Sequence, residues 1–187
     1  MSLRAPRLAL LCLLLATIPA ALAEADRPSR STGPVFDAFG PVFDDVDPDY
    51  MPPVEDYRVV FDVWIGPEAP DERNGRIESL ARFMNMHARA GVAPEDMQLA
   101  IVLHGSAGKA VLQNDAYRAR FGTDNPDLPL LEALAARGVR MMICGQSAAS
   151  RGYAKEDMIA PVDVALSAYS AIYGLQSEGY QLAPSWN

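Results

Sequence analysis

The chain has 187 residues, with 16 Lys and Arg against 24 Asp and Glu and a formal net charge of −8. An acidic chain without a local basic patch has nothing to hold a phosphate backbone, which argues against nucleic acid as a partner. Two histidines and, once the leader read below is removed, a single thiol furnish no paired metal ligands, catalytic triad or C-x-x-C dithiol, so no metal and no cofactor is expected.

Residues 1–23 read as a secretory signal peptide: Arg4 and Arg7 form a basic start, Leu8 to Ile18 an apolar run, and Ala21-Leu22-Ala23 a small-residue cleavage site before Glu24. The apolar run is short for a membrane span, so none is expected after cleavage. Cys12 lies inside it behind Leu10 and Leu11, which does not fit a lipoprotein. Cleavage would leave 164 residues carrying 14 basic and 24 acidic side chains, a net −10, with Cys144 as the only thiol. That is enough chain for one domain with its own core. The expected location is periplasmic. A lone cysteine in an oxidising compartment is a reactive thiol, half of an intermolecular bond, or a buried residue.

Residues 24–56 are rich in Pro, Asp and Gly and have no helical period. Gly33-Pro34-Val35-Phe36-Asp37 returns as Gly40-Pro41-Val42-Phe43-Asp44, two copies and so too few for a solenoid. An extended arm is expected, its Val-Phe pairs docking on the rest of the chain or on a neighbouring subunit. An α/β domain is expected over residues 57–187. Tyr57 to Trp64 is dense in β-branched and aromatic residues and reads as a strand. From about Arg73 to Ala90, Ile77, Leu80, Ala81, Met84 and Ala88 keep helical spacing, and Gly91 fits the position just past the end. His87, near that face, reads as a packed residue rather than a ligand.

Met97 to Leu103 predicts a second strand, followed by His104-Gly105-Ser106-Ala107-Gly108-Lys109. This segment matches neither phosphate-cradling pattern, G-x-x-x-x-G-K-[ST] or G-x-G-x-x-G. A helix is expected from about Lys109 to Arg120, broken by Gly122 to Pro126. Asp127 or Asn125 can cap the next helix, Leu128 to Arg137, which buries Leu130, Leu131 and Leu134. Val139 to Ile143 predicts a buried strand ending in Cys144. A short helical piece near Lys155 to Ile159, a strand over Val162 to Leu166, a helix from Ser167 to Ser177 and a strand over Tyr180 to Leu182 complete the chain. Strands alternating with helices imply a right-handed, mostly parallel sheet covered on both faces.

In such a sheet the carboxyl ends of the strands collect the ligands. His104 and Cys144 end neighbouring strands, so both side chains can emerge on one rim, where a Cys-His pair would activate the sulfur. Gly145 permits close backbone approach. Gly105, Ser106, Gly145, Gln146 and Ser147 are candidate ligand-binding residues; Gln146 and Ser147 can instead cap the following turn, and capping is the role expected of Ser147. Against a reactive Cys144 stands the frequency with which strand cysteines are plain core, and against a reactive His104 the frequency with which such a ring bonds a local carbonyl.

His104-Gly105, Ala116-Tyr117 with Arg120-Phe121-Gly122, Asn125-Pro126, Gly138-Val139 leading to Cys144-Gly145-Gln146-Ser147, and Gln176 with Glu178-Gly179-Tyr180 follow one another in order. This ordered set resembles the DsrE/DsrF-like family, in particular its secreted branch. The resemblance implies a three-layer α/β fold with a five- or six-stranded sheet and assembly as a homo-oligomer, a trimer or hexamer. It also implies sulfane sulfur carried as a persulfide, with Cys144 in the carrier position and a sulfur donor or acceptor protein or a small ligand as partner. Those sulfur carriers are cytoplasmic, whereas this chain is expected to be exported. The alternative is a non-catalytic ligand-binding or assembly protein in which Cys144 is structural.

Overall fold

The computed structural model describes residues 28–53 and 55–184; most of the arm's first residues and the whole leader, with Cys12, lie outside them. Two short strands, β1 (Arg30–Ser31) and β2 (Val42–Phe43), pair antiparallel in the arm. The main sheet is built from β3 (Tyr57–Val63), β4 (Met97–Leu103), β5 (Arg140–Cys144), β6 (Val162–Ala165) and β7 (Gln181–Leu182) in the order β6-β5-β4-β3-β7. Every neighbouring pair in it is parallel. The helices are α1 (Gly75–Arg89), α2 (Asn114–Phe121), α3 (Leu128–Ala136), α4 (Gly145–Arg151) and α5 (Ala168–Ser177).

Alternation along the strands divides the core. Tyr57 and Val63 of β3, Leu99, Ile101 and Leu103 of β4, and Met141 and Ile143 of β5 face α1 and α3, whose Ile77, Leu80, Met84, Leu130, Leu131 and Leu134 are buried against them. Val60, Ala100, Val102 and Cys144 point to the other face and meet Ala168, Ala171 and Leu175 of α5. The first three crossovers therefore stack on one side, and only the last, through α5, covers the other. That last crossover returns the chain across the sheet to place β7 beside β3.

The arm docks on its own chain. Val35, Phe36 and Val42 are buried, so the repeated Val-Phe pairs differ in use: the first pair is interior, while Phe43 of the second is exposed. The anchor is Asn85, fully buried on α1. Its Oδ1 accepts the Val35 and Phe36 amides at 3.0 and 2.9 Å, and its Nδ2 donates to the carbonyls of Phe36, Phe39 and Gly40 at 2.9–3.1 Å. Gly40 has φ +64°, and a Cβ there would stand 2.3 Å from the Arg82 amide nitrogen, so only glycine lets the arm lie this close to α1.

Two local expectations give way to non-local bonds. The segment read as one helix from Lys109 to Arg120 is a 3-10 turn over Gly105–Val111, an extended break at Leu112, and α2 from Asn114. The break exists because Leu112 bridges to Met158, and the Val111 carbonyl and Gln113 amide bond Ile159 and Asp157. At α3, neither candidate caps with its side chain. Asn125 instead donates to the Ala110 and Leu112 carbonyls and accepts the Asp127 amide, and the Asp127 carboxylate accepts the Asn74 amide at 2.8 Å. No described helix is long and apolar enough to cross a membrane.

Candidate functional site

The side chains of β3, β4 and β5 that face α5 run in rows across the sheet. The register pairs Asp62 with Val102 and Leu103 with Ile143, so one step further Trp64, His104 and Cys144 come side by side at the carboxyl rim. Parallel neighbours lie about 4.8 Å apart. The start of α5 stands over this row, and between them is a cavity of about 410 Å³ lined by Asp62, Trp64, His104, Cys144, Gln146 and Tyr169, with Ser167, Ala168 and Ile172 closing it from the helix.

His104 and Cys144 are thus brought together as neighbours on one face. Sequence reasoning missed the third member. His104 Nε2 lies 2.8 Å from Asp62 Oδ1, a carboxylate rather than the local carbonyl expected. With Nε2 donating its proton to Asp62, Nδ1 is left as the basic nitrogen of the neutral ring. The signal for Asp62 was in the sequence: it is the one acidic residue within Y-R-V-V-F-D-V-W, on the same alternating face as Val60 and Trp64. A half-buried carboxylate in an apolar strand requires a partner.

Cys144 is 6% exposed and ends β5 where α4 begins. Burial by itself pushes the thiol up, but the Ser147 amide and hydroxyl, with the Ala168 and Gln146 amides, outweigh it and hold the thiol below its ordinary value. These donors favour the charged sulfur. Ser147 Oγ accepts the Gly105 amide at 3.1 Å, which leaves its hydroxyl proton for the thiolate. This bond replaces the capping role expected of Ser147.

Of the five candidate ligand-binding residues, Gln146 reaches the cavity wall, its Nε2 donating to the Leu166 carbonyl. The other four shape the wall from behind. A Cβ on Gly105 (φ +56°) would meet the Trp64 carbonyl oxygen at 2.4 Å, and one on Gly145 the Ala165 carbonyl oxygen at 2.6 Å, so both glycines allow the strand ends to close up. Ser106 Oγ accepts the Gly66 amide at 2.9 Å, fixing the loop that carries Trp64. His87, stacked on Phe83 with Nδ1 on the Phe83 carbonyl, sits on α1 away from the cavity. Among the described residues no cluster of three or more His, Cys, Asp or Glu is placed to hold a metal ion.

A model of the DsrE/DsrF-like family matches residues 58–183. The chain belongs to this family. Its fold is similar to that of the ychN protein from E. coli, at 16% identity and a TM-score of 0.50 over 70% of this chain and 99% of that one. A protein of unknown function from Methanobacterium thermoautotrophicum, MTH1491, is 21% identical over 68% of this chain and 98% of that one, with a TM-score of 0.49. Among curated proteins there is no match. At these identities the likeness to solved structures is one of fold.

Proposed function

We propose that this DsrE-like protein is exported to the periplasm and binds and relays sulfane sulfur on Cys144, with His104 as the proton carrier and Asp62 holding the ring. The observation that carries the reading is the shared cavity: a thiol held below its ordinary pKa, with a carboxylate-oriented imidazole on the adjacent strand. His104 takes the Cys144 proton. The thiolate attacks the outer sulfur of a donor, the donor's S–S bond breaks as the new one forms, and the departing thiolate recovers the proton from His104. No net oxidation occurs; one sulfur atom changes carrier. Intact-mass spectrometry after exposure to a sulfane donor is expected to show one added sulfur on the wild type and none on Cys144→Ser. An unmodified wild type beside a loaded control carrier rejects the reading.

The near-complete burial of Cys144 favours a second reading, a non-catalytic binding or assembly protein with a structural cysteine. Native thiol labelling separates the two, because a structural cysteine stays unlabelled until denaturation. Assembly belongs to the proposal as well. Tyr169 and Tyr173 are 88% and 75% exposed on the outer side of α5, beside exposed Leu166 and Val164, an apolar surface suited to a second copy of the chain. Sedimentation is expected to give a trimer or hexamer; a clean monomer removes this element.

A further inference from the structure

Resting on the carrier reading above, we propose that the donor is a small organic hydropersulfide, R–S–SH, whose R group is apolar and uncharged and packs between Trp64 and Ile172. The volume leaves room for more than the simplest donors. About 410 Å³ lies at the lower end of cavities that hold organic molecules, far more than a bare chain of two or three sulfur atoms fills. Its apolar lining is Trp64, beside His104 on the rim, and Ala168 and Ile172 of α5. Trp64 is 47% exposed, a large apolar surface left for an occupant to cover.

Charge narrows the class further. The lining contains neither Lys nor Arg, and its one cation-capable ring, His104, is already engaged by the Asp62 carboxylate. Thiosulfate, or a hydropersulfide bearing carboxylates on R, would bring negative charge beside Asp62 with no cation to meet it, in a protein of net charge −8. The reaction balances without a further reagent. The Cys144 thiolate bonds to the outer sulfur of R–S–SH, the donor S–S bond breaks, and R–S⁻ takes the proton that His104 removed from Cys144, leaving Cys144–S–SH and R–SH.

The test measures loading rates of the full protein by intact mass with four donors: benzyl hydropersulfide, glutathione hydropersulfide, thiosulfate and inorganic polysulfide. Each rate is divided by that of a free cysteine peptide with the same donor. The benzyl donor is expected to exceed the glutathione donor by on the order of tenfold or more, the discrimination that an apolar pocket supplies. Trp64→Ala is expected to lose most of that preference, read as the ratio of the benzyl to the glutathione rate in the same variant. Equal normalised rates, a faster anionic donor, or an undiminished preference in Trp64→Ala overturns the donor class and leaves the carrier standing. Failure of all four donors to load the protein overturns the carrier reading, and the donor class with it.

Discussion

On one side of the sheet, Leu99, Ile101, Leu103, Met141 and Ile143 lie under α1 and α3, and the arm adds a further layer through Val35 and Phe36. On the other side, Val60, Ala100, Val102 and Cys144 lie under α5 alone. Each fully buried large aliphatic side chain contributes roughly 1.5–3 kcal/mol, so the first side supplies most of the hydrophobic stabilisation. The second side is built from small residues, and its single helix leaves the rim open where Asp62, His104 and Cys144 emerge. The difference teaches where this fold can carry chemistry: the cavity beside Asp62, His104 and Cys144 lies under the single helix, on the side where less stability depends on close packing.

The sharpest way to break the comparison is at Asn85, where the deep side depends on one polar residue. Asn85→Leu removes partners from two buried amides and three carbonyls. Stranded buried groups cost about 1–3 kcal/mol each, partly relieved by water as the arm lifts. A loss of about 4 kcal/mol in denaturant unfolding is expected, with hydrogen exchange rising over residues 33–43 and thiol reactivity of Cys144 unchanged. If Cys144 reactivity changes as much as stability does, the two sides are not independent.

A second break is set by pH. Asp127 is 2% exposed; burial pushes its carboxyl up to about 6, against the Asn74 amide and the charges of Arg73 and Lys109, which lower it. Its folded pKa lies above the unfolded value of 3.8, so the native state binds the proton more tightly. The stabilisation is full below about pH 4 and is lost as pH rises through about 6, amounting to at most about 3 kcal/mol. His87 runs the other way: burial lowers it, against the Phe83 carbonyl bond, so stability is lost as pH falls through its unfolded value of 6.5. Asp127→Asn keeps an oxygen for the Asn74 amide and removes only the Asp127 slope. Denaturation between pH 4 and 7.5 is expected to show the variant gaining on the wild type as pH rises; a constant difference refutes the assignment.

The unequal sides also explain what the sequence disclosed. The density of β-branched and aromatic residues in β3, the apolar run of β4 and helical spacing in α1 gave the elements and the parallel sheet, because their apolar residues report burial directly. The rim position of His104 and Cys144 follows from strand ends alone. The bonds of Asn85, Asp127 and Asp62 stayed hidden for one physical reason: a polar residue reads as solvent-facing or as a local cap until its distant partner is known. Each bonds across 40 or more positions, from Asn85 to the arm, Asp127 to Asn74 and Asp62 to His104. The misread helix at Lys109 has the same origin, since the Leu112 bridge to Met158 leaves no local mark.

The thin side is broken most informatively at the pair beside the sulfur. Asp62 accepts from His104 Nε2, which keeps the ring's lone pair on Nδ1. Asp62→Asn offers an amide donor in place of the carboxylate and favours the opposite tautomer, with the proton on Nδ1. If His104 takes the Cys144 proton, both His104→Ala and Asp62→Asn slow alkylation of Cys144 at neutral pH by roughly ten- to hundredfold, about 1.4–2.7 kcal/mol. A purely structural histidine instead lowers stability in His104→Ala and leaves Asp62→Asn near wild type. The rate profile against pH makes the distinction firm. In the wild type its midpoint is expected below that of a free cysteine, because the Ser147, Ala168 and Gln146 donors stabilise the thiolate. Ser147→Ala is expected to move it up, while Asp62→Asn lowers the rate without restoring a free-cysteine midpoint. A wild-type midpoint at or above the free-cysteine value would leave the cavity with an ordinary buried thiol, and the sheet's two sides would then differ in thickness alone.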